Sequence, residues 1–198
     1  MENTIILIDA GFLSKLSKYF GNGKYLDYNL VNFSENLAKK QNLICKKIFY
    51  YTAPPFQTPN STKEEQNKRD GYDRFVNKLR KNGVEVREGR CQRLKLDGEF
   101  VYGQKGVDAL AIIDLMSIPF EHKDIKKVLL IANDSDFVPA INKLKDLDIE
   151  VILYTYYPKK RESSFSRNNE LLKTVLKYIR LSKADFDNSP LLKEGDRR

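Results

Sequence analysis

Short, continuous apolar runs alternate along this sequence with segments of helical periodicity, and this alternation limits the fold more than any other feature. The run TIILID, residues 4 to 9, predicts a buried strand, and GFLSKLSKYF predicts a helix directly after it. The same order returns later, where VLLIA predicts a strand, residues 136 to 147 a helix, and EVILYTY another strand. Strands without a polar face are typical of a parallel sheet that helices cover on both sides. We therefore expect an α/β fold with a central parallel sheet sandwiched by helices.

The middle of the chain continues this pattern and interrupts it once. Its predicted elements are a helix over residues 28 to 41 that Asp27 can cap, a strand over 43 to 52, a long helix over 62 to 82, and a helix over 105 to 118. Residues 90 to 103 alternate around Asp97-Gly98, a dipeptide typical of a two-residue hairpin turn. We expect a small β-hairpin insertion there, and its unpaired edges are a candidate contact for a homo-oligomer.

The length of the chain favours a single domain. The 198 residues, 41% of them hydrophobic, suffice for one sizeable core. Beyond Leu181 the sequence is charged and weakly patterned, which is typical of a loose terminus. We expect one domain over residues 1 to 181 and a charged tail over residues 182 to 198.

The cysteines and the N-terminus indicate the compartment. Cys45 and Cys91 have no Cys or His near enough in sequence for a zinc knuckle, so we expect a reduced protein. Asp9 interrupts the first apolar run, and no run approaches the roughly 20 residues that span a bilayer. These features predict a soluble, cytoplasmic protein.

Basic residues make a polyanion the leading kind of partner. Thirty-five Lys and Arg against 27 Asp and Glu leave a net charge of +8. The clusters comprise Lys63, Lys68, Arg69, Arg74, Lys78, Arg80 and Lys81 in the long helix and its lead-in, Arg87, Arg90, Arg93 and Lys95 around the hairpin, and Lys159, Lys160 and Arg161 after the last clear strand. Tyr102, Tyr156 and Tyr157 could stack on the bases of a single-stranded nucleic acid. The alternative is that the charges are solvated helix faces and the tyrosines pack on the core.

Carboxylates follow the predicted strands at the positions where ligands gather in parallel sheets. Asp9 ends the first strand, Asp134 and Asp136 follow VLLIA, and Asp108 lies in the first turn of a predicted helix. Hard divalent cations prefer oxygen ligands, so this group could hold one or two Mg²⁺ or Mn²⁺ ions. Such ions activate water for the hydrolysis of a phosphodiester.

Each acid also has a purely structural explanation. One of Asp134, Ser135 and Asp136 could cap the helix that follows, and Asp9 could cap a helix from Gly11. Asp108 suits the helix dipole without any metal. Capping explains one acid of the Asp-Ser-Asp sequence more readily than both.

Three segments together resemble a known family. IILIDAGF, KGVDALAIIDLM and LLIANDSDFVPAINKLKDLDIEVILY are similar, in order and spacing, to the NYN domains of the PIN-like nuclease superfamily, in particular the LabA-like branch. The resemblance covers roughly residues 4 to 181 and implies a PIN-like, Rossmann-like three-layer fold with Mg²⁺- or Mn²⁺-dependent cleavage of RNA. By matching positions it assigns metal binding and catalysis to Asp9, Asp108, Asp134 and Asp136, with Lys105 and Ser135 as neighbours in the site.

Two positions depart from the family pattern. Phe12 stands where many relatives have Asn, and Asn133 stands where many have Gly before the Asp-Ser-Asp sequence. Two hypotheses follow: a metal-dependent endoribonuclease that acts on RNA, expected to be single-stranded, or a catalytically weak or inactive RNA-binding or regulatory module. A flavodoxin-like nucleotide binder or a haloacid-dehalogenase-type phosphatase is less favoured, because the chain lacks a Gly-rich phosphate loop and the second Asp of such phosphatases.

Overall fold

The computed structural model describes residues 1–158 and 165–191, and in these ranges six parallel strands form one central sheet. In chain order the strands are β1 (Glu2–Asp9), β2 (Leu43–Thr52), β3 (Val84–Glu88), β4 (Arg90–Leu96), β5 (Glu99–Lys105), β6 (Lys127–Ile131), β7 (Glu150–Thr155) and β8 (Lys177–Arg180). The sheet has the order β3-β2-β1-β6-β7-β8, and all of its pairings are parallel. The predicted parallel sheet is therefore confirmed.

Helices connect the strands. They are α1 (Ala10–Phe20), α2 (Leu30–Lys39), α3 (Lys63–Lys81), α4 (Val107–Glu121), α5 (Val138–Lys145), α6 (Asn169–Thr174) and α7 (Lys183–Asp187), and a short 3₁₀ turn (Ser135–Phe137) precedes α5. The cap of α2 differs from the prediction: Asn29, not Asp27, accepts the N–H groups of Val31 and Asn32. In the described ranges, no helix is both long enough and apolar enough to cross a membrane.

The sheet separates two hydrophobic cores. Because successive side chains of a strand point to opposite faces, Ile6 and Ile8 enter the core on the α1, α2 and α3 side. Ile5 and Leu7 enter the other core, under α4, α5 and α6. All four side chains are at most 1% exposed. Burial on both faces explains why the strands lack a polar face, and it confirms the three-layer α/β architecture.

Strands β4 and β5 form the predicted hairpin apart from the central sheet. Asp97 and Gly98 both have positive φ, 50° and 87°, as a type I′ turn requires. At the base of the hairpin Arg90 pairs with Lys105. Gly106, with φ of 78°, then turns the chain from β5 into α4, a conformation that glycine adopts without steric cost.

The strand order reverses beside β1. From β1 the chain moves outward through β2 to β3, then returns through the hairpin and α4 to β6 on the other side of β1. The crevice outside the carboxyl ends of β1 and β6 is therefore the topological switch point, where open α/β sheets bind their ligands.

Part of the expected tail is packed. Residues 183–187 form α7, whose Phe186 is 1% exposed and belongs to the core of α1, α2 and α3. Lys40 forms an ion pair with Asp185, and the N–H of Asn29 donates to the carbonyl of Ser189 at 2.7 Å. The expectation of a loose segment is wrong for these residues, because the buried ring of Phe186 and these polar contacts dock the short helix.

Candidate active site

Four aspartates converge on the switch point. Asp9 is the last residue of β1, Asp134 and Asp136 follow β6, and Asp108 lies in the first turn of α4. Electrostatic repulsion links them, since Asp9 interacts with Asp108 and Asp134, and Asp108 interacts with Asp134 and Asp136. The structure therefore places these acids of three segments around one edge of the sheet, near enough to repel one another, and we refer to them as the aspartate cluster.

Asp9 joins the sheet to α1. Its Oδ1 accepts the N–H of Gly11 at 2.8 Å and that of Phe12 at 3.2 Å, so it is the N-cap of the helix. Burial raises the pKa of Asp9 from 3.8 to about 6, and repulsion by Asp108 and Asp134 adds to this rise. The two N–H groups oppose the rise without cancelling it. Asp9 therefore carries a costly negative charge at neutral pH.

Asp134, which follows β6, resembles Asp9 in that one of its carboxylate oxygens caps a turn of helix. Its Oδ1 accepts the N–H of Asp136 at 3.0 Å and caps the 3₁₀ turn. Capping thus accounts for Asp134, while Asp136 remains exposed in the first turn without that role. Within the described part of the chain, Oδ2 of Asp9 and of Asp134 accepts no hydrogen bond. Each carboxylate therefore keeps one oxygen available to a ligand.

Asp108 faces the cluster from the start of α4. The N-cap of this helix is Gly106, which has no side chain to accept the first N–H groups. Burial raises the pKa of Asp108, and repulsion by Asp134 and then by Asp136 raises it further. The positive end of the α4 dipole favours a carboxylate at this position.

The chemistry of the cluster fits a hard divalent cation. Its ligand atoms are carboxylate oxygens, and a cation would relieve the repulsion that raises the pKa of Asp9 and Asp108. Among the described residues, no three Asp, Glu, His or Cys side chains stand close enough to form a complete ligand group. Magnesium usually takes only one or two carboxylates directly and keeps several waters, so the open arrangement remains compatible with it.

A cavity of 210 Å³ opens beside Asp9 and Asp134. Its lining also includes Lys15, a residue that reasoning from the sequence missed. Lys15 lies one helical turn after Gly11, so the i to i+4 spacing from the start of α1 was an available signal. A basic side chain next to two carboxylates suits a phosphate ligand with a bound metal ion, because the ammonium group can bind the phosphate and the carboxylates can bind the metal.

Phe12 and Asn133, the two residues that depart from the family pattern, contact the same wall of this cavity. Phe12 is 7% exposed and packs edge-on against Phe165, with ring centroids 6.2 Å apart. The amide of Asn133 donates to the carbonyl of Ser166 at 3.1 Å and accepts from the hydroxyl of Thr155 at 2.9 Å. Phe12 and Asn133 therefore hold residues 165 and 166 against the site. Phe12 is a core side chain that also lines the cavity and supports its wall.

The other predicted site residues lie around the cluster. Ser135 is half-buried in the turn between Asp134 and Asp136, and Lys105 and Arg90 are exposed at the base of the hairpin. Arg93 is exposed farther along β4, between the rings of Phe56 and Phe100. The predicted basic run of Lys159, Lys160 and Arg161 lies outside the described residues.

Several of the predicted RNA-contacting residues have partners of their own. In α3, Lys68 pairs with Glu64, Arg69 with Asp73, and Arg80 with Glu88 of β3, as expected of solvated helix faces. Tyr156 packs among the rings of Tyr19, Phe20 and Phe165, so its expected role in base stacking is not supported.

Two further polar residues of α4 lie away from the cluster. Asp114 accepts from the guanidinium of Arg87 at 2.9 Å and from the hydroxyl of Tyr51 at 3.1 Å, so it ties α4 to the sheet. His122 ends α4, about 20 Å along the axis from Asp108 at 1.5 Å per residue. The site therefore contains no contribution from His122.

Comparisons with known proteins are consistent with this architecture. The NYN domain model matches residues 3–173. The crystal structure of a protein of unknown function from Vibrio parahaemolyticus aligns with a TM-score of 0.60 at 16% identity, over 93% of this chain and 96% of that chain, which supports the fold. A lysine monooxygenase from Nocardia farcinica aligns with a TM-score of only 0.21 at 8% identity, over 80% of this chain and 58% of that chain. No curated protein matches the sequence.

Proposed function

The chain belongs to the NYN domain family of the PIN-like nuclease superfamily, and from this premise we propose that it is an endoribonuclease of the LabA-like branch. The proposed reaction is the hydrolysis of RNA phosphodiester bonds with Mg²⁺ or Mn²⁺. The observation that supports it best is the aspartate cluster, whose members come from three segments and repel one another at the switch point. Such repulsion costs stability in the absence of a cation, and function is the usual reason for retaining it.

The four aspartates would hold the cation. When bound, the ion would activate a water molecule and offset negative charge on the leaving oxygen. The N–H groups of Gly11, Phe12 and Asp136 orient the carboxylates of Asp9 and Asp134 through their Oδ1 atoms. The protein thus contributes a preorganised set of oxygens, which reduces the rearrangement needed when substrate binds.

Basic side chains around the cluster would bind the phosphate backbone. Lys15 lines the cavity itself, and Lys105 and Ser135 flank the acids. We assign further phosphate contacts to Arg90 and Arg93, which are exposed in the hairpin. We also assign them to the basic run outside the described residues, namely Lys159, Lys160 and Arg161. Phosphate contacts position a strand without reading its sequence, so this set agrees with a general RNA substrate.

The test is cleavage of end-labelled single-stranded RNA by the full chain in Mn²⁺, in Mg²⁺ and in EDTA. Asp134→Asn keeps an oxygen that can cap the turn and removes the charge, so we expect an intact fold and a loss of activity above about 100-fold. Asp148→Asn is the matched control, because Asp148 is exposed at the opposite edge of the sheet, just before β7. We expect it to cleave like the wild type.

Cleavage that persists in EDTA and in the Asp134→Asn variant would contradict the proposal. Binding of RNA without cleavage under every metal condition would instead favour the alternative of a non-catalytic RNA-binding module. This alternative is supported by the spacing of the carboxylates, since among the described residues no three potential ligands form a metal-binding group.

A further inference from the structure

The β4–β5 hairpin has two chemically different faces. Residues directly opposite each other in an antiparallel pair share a face, and the pairs Arg93–Tyr102, Lys95–Phe100 and Cys91–Gln104 alternate with Leu94–Val101 and Leu96–Glu99. One face therefore carries aromatic and basic side chains. The other combines the aliphatic Leu94, Leu96 and Val101 near the turn with polar and charged side chains, namely Gln92, Glu99, Arg90 and Lys105. We refer to the first, defined by Arg93, Lys95, Phe100 and Tyr102, as the aromatic face.

The aromatic face is exposed although it is rich in large rings. Phe100 is 53% exposed and Tyr102 is 54% exposed. Phe56, from the loop after β2, lies against this face with its ring centroid 5.7 Å from that of Tyr102. The guanidinium of Arg93 lies 4.8 Å from the ring of Phe56 and 4.4 Å from that of Phe100. Three rings and one guanidinium plane therefore form a connected π surface in contact with water.

The charge of this surface suits a polyanion. Arg93 and Lys95 lie on the face itself. Lys68 of α3 lies near Tyr102, although it is paired with Glu64 at 2.7 Å. Glu65 interacts electrostatically with Arg93, and its carboxylate already accepts hydrogen bonds from the hydroxyl of Thr58 and from the backbone N–H of Thr62, the second of these in a capping box. A chain of net charge +8 thus presents exposed rings among cations, a combination typical of surfaces that bind nucleic acid.

The aromatic face leads directly to the aspartate cluster. Gln104 shares this face of the hairpin with Tyr102 and Phe100, as its pairing with Cys91 shows. The side chain of Gln104 reaches the start of α1, beside Asp9. A Cβ atom placed on Gly11 would lie 3.6 Å from Oε1 of Gln104 and 3.2 Å from Oδ1 of Asp9. One side of the hairpin is therefore continuous from its exposed rings to the first residue of the candidate site.

We propose that the aromatic face, together with Phe56, is a stacking platform that binds the unpaired bases of single-stranded RNA and guides the strand past Gln104 to the aspartate cluster. This inference rests on the proposed function and names its substrate class. Bases of a duplex are stacked on one another and cannot offer their faces to Phe100 and Tyr102, whereas those of a single strand can. The guanidinium of Arg93 adds a second planar surface and a positive charge.

Binding is measured in the full chain carrying Asp134→Asn, so that the probe is not cleaved. The probes are a fluorescein-labelled single-stranded RNA of 20 nucleotides and the same RNA annealed to its complement. We expect the added pair Phe100→Ala and Tyr102→Ala to weaken single-strand binding about 10- to 100-fold, since each stacked base contributes appreciably, and to leave duplex binding unchanged.

Two controls separate stacking from other causes. The pair Leu94→Ala and Val101→Ala removes exposed side chains from the opposite face of the same hairpin, and we expect less than about a twofold change. The pair Phe100→Leu and Tyr102→Leu keeps apolar bulk without a π face, and we expect the same loss of binding as with alanine. Thermal melts report whether each variant is folded.

The proposal is overturned if the two faces of the hairpin contribute equally, if the leucine variant binds like its parent, or if duplex and single strand lose affinity together. A change from dimer to monomer on gel filtration, with unaltered RNA affinity, would instead assign the aromatic face to a second copy of the chain. Binding is measured without cleavage, so the two proposals fail separately. A wild type that does not cleave RNA would contradict the proposed function, whereas the affinities of the hairpin variants alone decide whether the stacking platform exists.

Discussion

At the scale of single residues, Asp9 serves the fold and the candidate site with the same carboxylate. Its Oδ1 caps α1, whereas its charge is opposed by burial and by two neighbouring aspartates. An isosteric amide separates the two contributions, since Asn can accept the same N–H groups and carries no charge.

We expect Asp9→Asn to stabilise the protein in EDTA at pH 7.5. The folded protein binds the proton of Asp9 more tightly than the unfolded chain does, because its pKa rises from 3.8 to about 6. The stability that Asp9 contributes is therefore present below about pH 3.8 and is lost as pH rises through 6. The gain in the variant has an upper limit of about 3 kcal/mol at pH 7.5, at about 1.4 kcal/mol per pKa unit, and shrinks toward pH 4.

The measurement is urea unfolding of both proteins at pH 4.5 and pH 7.5. Asp70→Asn, at an exposed position of α3, removes the same charge away from the cluster and is expected to change little at either pH. Equal stability of wild type and Asp9→Asn at both pH values would show that Asp9 bears no electrostatic strain.

Phe12 shows how a residue that departs from a family pattern can have a packing role that its type alone does not indicate. In the sequence it stands where a polar residue is expected, which suggests loss of function. In the structure it packs on Phe165 in the lining of the cavity, and the side chain of Asn133 donates to the carbonyl of the adjacent Ser166. The two departures are therefore related, because they support the same wall of the site from two sides.

At the scale of elements, the joint between the hairpin and α4 sets the position of Asp108. Gly106 adopts φ of 78° there and is followed two residues later by the aspartate. The hairpin, which carries the proposed platform, and the helix, which carries one acid of the cluster, therefore meet at one glycine. Strain at this joint would be transmitted to both.

We expect Gly106→Ala to reduce RNA cleavage more than its effect on stability explains. An alanine at positive φ costs roughly 1–2 kcal/mol, and relaxation of the backbone would shift the start of α4. Gly23→Ala is a matched control, since Gly23 has φ of 91° and, as at Gly106, an added Cβ would have no atom within 4 Å. Both variants should lose similar stability in urea, and only Gly106→Ala should lose activity.

Gly106→Asn offers a further check, because Asn tolerates the left-handed region better than Ala. Recovery of cleavage in this variant would support the backbone explanation. Similar activity in Gly106→Ala and Gly23→Ala would contradict it.

At the scale of the whole molecule, α7 closes the core on the side of α1 and α2. Phe186 is 1% exposed, and its ring centroid lies 4.9 Å from those of Tyr28 and Phe33 and 5.9 Å from that of Phe20. The C-terminal part of the described chain therefore contributes to the stability of residues that are more than 150 positions away in sequence.

We expect Phe186→Ala to destabilise the protein by about 3–5 kcal/mol, because it removes a buried ring and leaves a cavity among three others. Leu191→Ala is the control, since Leu191 is 44% exposed and a surface change costs within about 0.5 kcal/mol. Urea unfolding measures both. A loss below about 1 kcal/mol in Phe186→Ala would indicate that α7 is not tightly docked in solution.

The amino-acid sequence by itself determined those features that depend on neighbouring residues. Apolar runs such as TIILID identify buried strands, Asp97-Gly98 identifies the hairpin turn, and aspartates at strand ends mark one edge of the sheet. Each of these follows from local periodicity or from backbone preference, which a short window of sequence contains.

The tertiary structure alone decided which of these features meet. The order of strands places β6 beside β1, and this adjacency brings Asp134 to Asp9 and creates the cavity that Lys15 lines. The same packing buries Phe186, which the sequence leaves in a charged stretch, and sets Phe56 against the hairpin. Local periodicity carries no information about such contacts, because they depend on how distant segments share one core.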